Sequence, residues 1–164
     1  MFAIRHGGLA VIVALLLAAT VSAQMREIEW NELMPPDEAQ AWIDNQMGVD
    51  HSGAGPSSAV FQSFRTVGEL DGQRIRIPGF VVPIETTPEG RLSEFFLVPY
   101  FGACIHVPPP PANQIIYGRL AKPIEMVNIW DAFWMEGQLN IEDVSNETAD
   151  SAYTMDVSAL KLYE

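Results

Sequence analysis

The residues of this chain whose types and spacing could do chemistry are concentrated in one stretch. It reads Cys104-Ile105-His106-Val107-Pro108-Pro109-Pro110-Pro111-Ala112-Asn113-Gln114 and holds the only cysteine, one of three histidines and four consecutive prolines. In an extended strand, residues two apart face the same side, so Cys104 and His106 project together and Ile105 turns away. A thiolate and a neutral imidazole are ligands for zinc or copper, and both must be deprotonated to bind. Two ligands do not close a site, because structural zinc takes four and catalytic zinc three with water. The others would have to come from His51, from Asp50, or from a carboxylate such as Glu94, Asp131 or Glu136, and no spacing selects among these.

Two other chemistries compete for the same residues. As a nucleophile, Cys104 would need a base within hydrogen-bond reach and donors for a developing oxyanion. His106 could lower the thiol pKa and Asn113 could orient or donate, but no helix start or nucleophile turn is visible to activate the thiol. As structure, a cysteine is a small buried hydrophobe and a histidine braces a loop. Pro108, Pro109, Pro110 and Pro111 remove four N–H donors and impose an extended left-handed helix. Such a crossing would need Asn113 and Gln114 to bond its backbone. The proline run could also dock in an aromatic groove on a partner.

The N-terminus reads as an export signal. Arg5 gives a short positive region, Leu9 to Ala19 an apolar core, and Val21-Ser22-Ala23 the small residues of a cleavage site. The expected leader is 1–23, with no cysteine at the new end for lipid attachment. No later segment is long and apolar enough to span a bilayer. The predicted location is periplasmic or otherwise exported. There a lone cysteine cannot form an internal disulfide, which leaves a buried thiol, a metal thiolate, a reactive thiol or an intermolecular bridge. The chain of 164 residues has 9 Lys+Arg against 21 Asp+Glu, a net charge of −12. That charge repels phosphate backbones and argues against nucleic acid as a partner, while favouring cations or a basic protein.

About 140 residues beyond the leader suffice for one packed core. Residues 24–58 form an N-terminal segment with one helix and a Gly/Ser loop, and 59–164 a β domain. Pro36 suits a helix first turn and Asp37 and Glu38 its positive end. Ala39, Trp42, Ile43 and Met47 follow helical spacing. From Arg74 the pattern alternates: Ile75 and Ile77 one way, Arg74 and Arg76 the other, with Pro78-Gly79 reading as a bulge or bend. Thr86 to Gly90 predicts a turn and Leu92 to Val98 its hairpin partner. Asn113 to Tyr117 reads as a short strand, Gly118 to Pro123 as a turn, 126–141 as strand-like stretches around Gly137, and Ala152 to Tyr163 as one or two closing strands. The predicted fold class is mostly β: a small curled antiparallel sheet or OB-like barrel of five or six short strands, with one N-terminal helix.

Phe101-Gly102-Ala103-Cys104-Ile105-His106, the four prolines and Asn113-Gln114 together resemble the signature of an exported bacterial family, domain of unknown function 3299. Gly79 to Pro83 and Phe95 to Pro99 resemble its preceding strands, and the likeness runs roughly from Trp30 to Met155. Members of that family are typically exported, often beside components similar to lipoprotein-releasing ABC transporters, and some belong to zinc-responsive gene sets. The resemblance implies an accessory role in metal homeostasis or envelope transport, with a transporter or lipoprotein as partner. It implies no activity. The residues themselves favour a non-enzymatic binding protein with zinc before copper at Cys104 and His106.

Overall fold

A computed structural model describes residues 25–40, 63–103 and 110–164. Among the described residues there are six strands: β1 (Arg26–Glu27), β2 (Arg74–Thr86), β3 (Leu92–Val98), β4 (Ile116–Ile124), β5 (Ala132–Ser145) and β6 (Asp150–Leu162). Their order is β1-β2-β3-β4-β6-β5, and an additional β2–β5 pairing closes β2 to β6 into a five-stranded barrel. All barrel pairs are antiparallel except β4–β6. Mostly β with a small helical part is the class the alternation predicts, and the barrel is OB-like.

Closure is made by β2. Arg74 to Phe80 pair with β5, and Phe80 to Thr86 pair with β3, so one curved strand serves two neighbours. This sharing explains why β2, β5 and β6 run to 13, 14 and 13 residues instead of the short strands expected. The alternation read in β2 holds: Ile75 and Ile77 are fully buried and Arg74 is exposed. Pro78-Gly79 is no bulge, since the register with β5 runs unbroken through it, and the shifts fall at Pro83 to Thr86. Gly79 lies where β2 passes from one partner to the other; a Cβ there would meet the Val98 carbonyl at 2.7 Å and Leu97 Cγ at 2.8 Å.

The barrel interior is filled by Ile75, Ile77, Phe95, Leu97, Met135, Leu139, Tyr153 and Met155. Ile28 and Leu33, from the lead before the helix, belong to the same core. A second cluster lies around the alternate residues of β3: Phe96 and Val98 pack with Val82, Tyr117, Ala103, Ile115 and Ala149. Thus β3 is covered on both faces, which is why Phe95-Phe96-Leu97-Val98 reads as an unbroken apolar run. Ala103 and Ile115, which flank the Cys104 to Gln114 stretch, pack on the side of β3 away from the barrel core, while Ala112 near its exit joins the core cluster itself.

Two other expectations change. Asn113 to Tyr117 is strand only in its last two residues: Ala112–Gln114 forms a 3-10 turn and β4 begins at Ile116. Gly118 to Pro123 is not a turn but the body of β4, paired with β3 and, in parallel, with β6. Ala152 to Tyr163 supplies one closing strand, β6. Helical backbone begins at Pro36 and is described to residue 40; Trp42, Ile43 and Met47 lie outside the described residues.

Candidate functional site

Both ends of the Cys-x-His segment are fixed. On the entry side, Gly102 has φ +82°, a left-handed conformation that side chains rarely adopt, and it turns the chain after β3 so that Ala103 is fully buried. Phe101 stacks on Trp130 with 4.6 Å between ring centroids and meets Phe80 edge-on at 6.0 Å. On the exit side, Pro110 and Pro111 are buried. Pro111 has φ −59° and ψ 153°, the extended left-handed geometry expected of the proline run. Cys104, His106, Pro108 and Pro109, like His51 and Asp50, lie outside the described residues.

The exit anchor is a buried polar network. Asn113 is fully buried, and its Nδ2 donates to Glu38 Oε2 and to the Arg65 carbonyl, both at 2.9 Å. Its backbone N–H donates to the Ser63 carbonyl at 3.1 Å. Glu38 is itself 7% exposed, and it accepts Ser63 Oγ at 2.7 Å and the Arg65 guanidinium at 3.0 Å. Arg65 continues to Asp37 at 2.7 Å, and that hydrogen bond holds the Asp37 carboxyl below the usual range. Gln114 Nε2 donates to the Trp30 carbonyl at 2.7 Å and to the Asn113 carbonyl at 3.0 Å. The backbone bonding expected of Asn113 and Gln114 is therefore made: the Gln114 N–H donates to the Pro111 carbonyl at 2.7 Å, while the side-chain amides reach the carbonyls of Arg65, Trp30 and Asn113. Asn113 Oδ1 is buried and has no hydrogen-bond partner. Exchanging the amide atoms would not help, because the oxygen would then face the Glu38 carboxylate and a carbonyl.

Glu38, Ser63 and Arg65 were not legible as site residues. Glu38 lies 75 positions from Asn113 and Ser63 lies 25 from Glu38, and no spacing connects such distant polar residues. The carboxylates considered as further ligands are each engaged elsewhere. Glu94 accepts from Tyr117 Oη, Asp131 from Asn128 Nδ2 at 2.9 Å, and Glu136 from Lys161 Nζ at 2.8 Å. Among the described residues, no three His, Cys, Asp or Glu side chains gather as a metal ligand set. Glu38, the buried carboxylate of the exit anchor, has both oxygens occupied by donors. Asn113 Oδ1 is thus the buried acceptor of the exit anchor that has no donor.

Two tyrosines report on the frame. Tyr153, fully buried in the barrel, accepts from the Val67 N–H at 2.8 Å and donates to the Leu33 carbonyl at 2.9 Å. Burial pushes its phenol up to about 12. Burial, then the Glu94 hydrogen bond, pushes Tyr117 to about 12 as well. Both folded values exceed the ordinary 10.0. Their contribution is present below that value and is lost as pH rises toward 12, where the unfolded chain sheds protons that the fold retains. Spectrophotometric titration should show these two phenols ionising late, together with alkaline unfolding. Tyr117→Phe and Tyr153→Phe should each remove one late step; a step that survives both substitutions would contradict the assignment.

Comparison with known proteins gives one consistent result. The family model described as "Protein of unknown function (DUF3299)" matches residues 30–162. The chain is similar to a crystal structure of a DUF3299 family protein from Pseudomonas aeruginosa PAO1, with 39% identity and a TM-score of 0.68. The likeness covers 86% of this chain and 97% of that one. No curated protein matches. The matched region contains the barrel, both anchors and the Cys-x-His-x-Pro stretch between them, and the chain belongs to the DUF3299 family of proteins of unknown function.

Proposed function

We propose that this chain is an exported, periplasmic, non-enzymatic accessory protein that binds a transition metal, zinc ahead of copper, through Cys104 and His106. His51 and Asp50 are the candidates for completing the ligand set. Its role is in metal homeostasis or beside an envelope ABC transport system, with a transporter or lipoprotein as partner. The observation that carries the reading is the frame: a cysteine and a histidine lie between two buried anchors, Ala103 and Pro110 to Gln114. Such a frame limits how far the ligands can wander, and metal affinity depends on that restriction. The unpaired Asn113 Oδ1 suits the outer N–H of a metal-bound imidazole. A bound metal would also shield the thiol from oxidation after export. Among the described residues no helix is long and apolar enough to cross a membrane.

The test is zinc content and affinity of the leaderless chain beside Cys104→Ser and His106→Ala. Both substitutions are expected to abolish stoichiometric zinc, and the affinity of the parent should fall as pH drops and the ligands protonate. Equal zinc in all three proteins sinks the proposal. The burial of Pro110 and Pro111 favours a second reading, a rigid brace inside an interaction module. It predicts a Cys104 thiol that resists alkylation until unfolding, with or without chelator. The metal reading predicts protection that chelator removes.

A further inference from the structure

We propose that Phe80, Phe101 and Trp130 form a docking platform for a basic segment of a partner protein, one that presents arginine or lysine side chains. Trp130 stands in the connection between β4 and β5, and Phe101 in the turn after β3. Their rings stack with 26° between planes, and Phe80 of β2 braces Phe101 edge-on. Trp130 is nevertheless 66% exposed and Phe101 37%. Single exposed apolar residues need no explanation, but a contiguous aromatic group drawn from three separate parts of the chain does.

The platform is held ready. Asn128 Oδ1 accepts the Trp130 N–H at 3.3 Å, Asn128 Nδ2 donates to Asp131 Oδ2 at 2.9 Å, and the Asp131 N–H donates to the Asn128 carbonyl at 3.1 Å. A pinned turn loses little freedom when its tip is covered, which favours binding. Trp130 is also the side chain best suited to a cation, since indole is the strongest cation–π acceptor.

Charge selects the occupant. The connection 125–131 carries Asp131 and Glu125, the latter 3.7 Å from the Arg91 guanidinium, and no lysine or arginine of its own, in a chain of net charge −12. An acidic peptide, a phosphate backbone or an anionic lipid surface would be repelled. The fold already places guanidinium groups on its rings, Arg76 over Trp134 at 4.7 Å and Arg119 over Tyr117 at 5.3 Å. Among the described residues no cation is placed over Trp130. An exposed indole beside a carboxylate, on an acidic surface, fits a partner's guanidinium or ammonium group. The platform does not depend on metal at Cys104 and His106.

The experiment is calorimetric titration of the leaderless chain with hexa-arginine, hexaglutamate and cellohexaose at low and physiological salt. Hexa-arginine is expected to bind and the other two are not. Trp130→Ala should weaken hexa-arginine roughly three- to five-fold. Trp130→Phe, which keeps a poorer ring, should fall between. Glu147→Gln, in the β5–β6 connection, should cause a smaller loss confined to low salt. Thermal melts of each variant establish that folding is intact. Equal losses for Trp130→Ala and Glu147→Gln would reduce the effect to bulk charge and overturn the proposal. So would binding of cellohexaose through Trp130 without hexa-arginine, or loss of a self-associated form in Trp130→Ala with hexa-arginine affinity unchanged. Zinc stoichiometry is unaffected by any of these outcomes, so failure here and failure of the metal reading are separable.

Discussion

Phe95→Ala is expected to lower the unfolding free energy by about 3–5 kcal/mol, a large share of the roughly 5–15 kcal/mol typical of a domain. Phe95 is fully buried inside the barrel, and β3 is fixed on both sides by β2 and β4. The walls around a deleted ring therefore cannot close in, and the cavity cost adds to the lost transfer energy. The ring lies against Gly118, its cross-strand partner on β4, where a Cβ would come within 2.8 Å of Cζ. Gly118→Ala should accordingly destabilise by about 1–3 kcal/mol through overpacking. The two substitutions should not add. With the ring gone, the extra methyl of Gly118→Ala enters space that Phe95 vacated, so the double variant should be more stable than the sum of the singles predicts. Urea unfolding of the four proteins measures the coupling, and strict additivity would mean that the ring does not occupy the space over Gly118.

This pairing also shows where reading the sequence succeeds and where it stops. Ile75 and Ile77 against Arg74 and Arg76 announce a half-buried strand, because a period of two survives in the residue types themselves. Leu92 to Val98 follows from the turn at Thr86 to Gly90 and from its apolar density. Gly118 to Pro123 misleads for a physical reason. Gly118 is in β4 to make room for the Phe95 ring, a demand set across the barrel and invisible locally. Pairing of β4 with β3 and β6 then carries the chain straight through Lys122 and Pro123. Closure of β2 on β5 and the parallel β4–β6 contact are likewise choices of partner, and side-chain period says nothing about partners.

The candidate site divides along the same line. The oddity of Cys104 to Gln114 was legible because cysteine, histidine and repeated proline are rare together. The structural demand on Asn113 was not. Its partners Glu38, Ser63 and Arg65 come from the N-terminal helical start and from the segment before β2. Read locally, Glu38 is only an acidic residue at the positive end of a helix. In the fold it is the buried hub that ties the helix start, Ser63 and the proline exit into one unit. A polar residue that is conspicuous neither in type nor in spacing becomes important only when tertiary structure removes its water.

Asn113→Asp should expose that demand with the second large effect. The substitution changes almost no volume, but it replaces the Nδ2 donor with a carboxylate oxygen about 2.9 Å from Glu38 Oε2, in a fully buried position. Burial and like charge both drive the introduced carboxyl toward its protonated form, raising its folded pKa above the unfolded value. The penalty is therefore absent well below about pH 4, where the unfolded chain is protonated too, and grows as pH rises. At neutral pH a loss of about 3–5 kcal/mol is expected, the range for an uncompensated buried charge. Asn113→Leu, which removes the donor without adding charge, should cost less and show little of this pH dependence. Glu38→Gln placed in the Asn113→Asp background can supply an amide donor to the new carboxylate, and should recover most of the loss. The same variants test the frame itself. If the exit anchor restrains the Cys-x-His segment, Asn113→Asp at neutral pH should raise the alkylation rate of Cys104, and the double variant should return it toward the parent. A rate that does not follow stability across the series would separate Cys104 from the Asn113 anchor and confine the network to holding the helix.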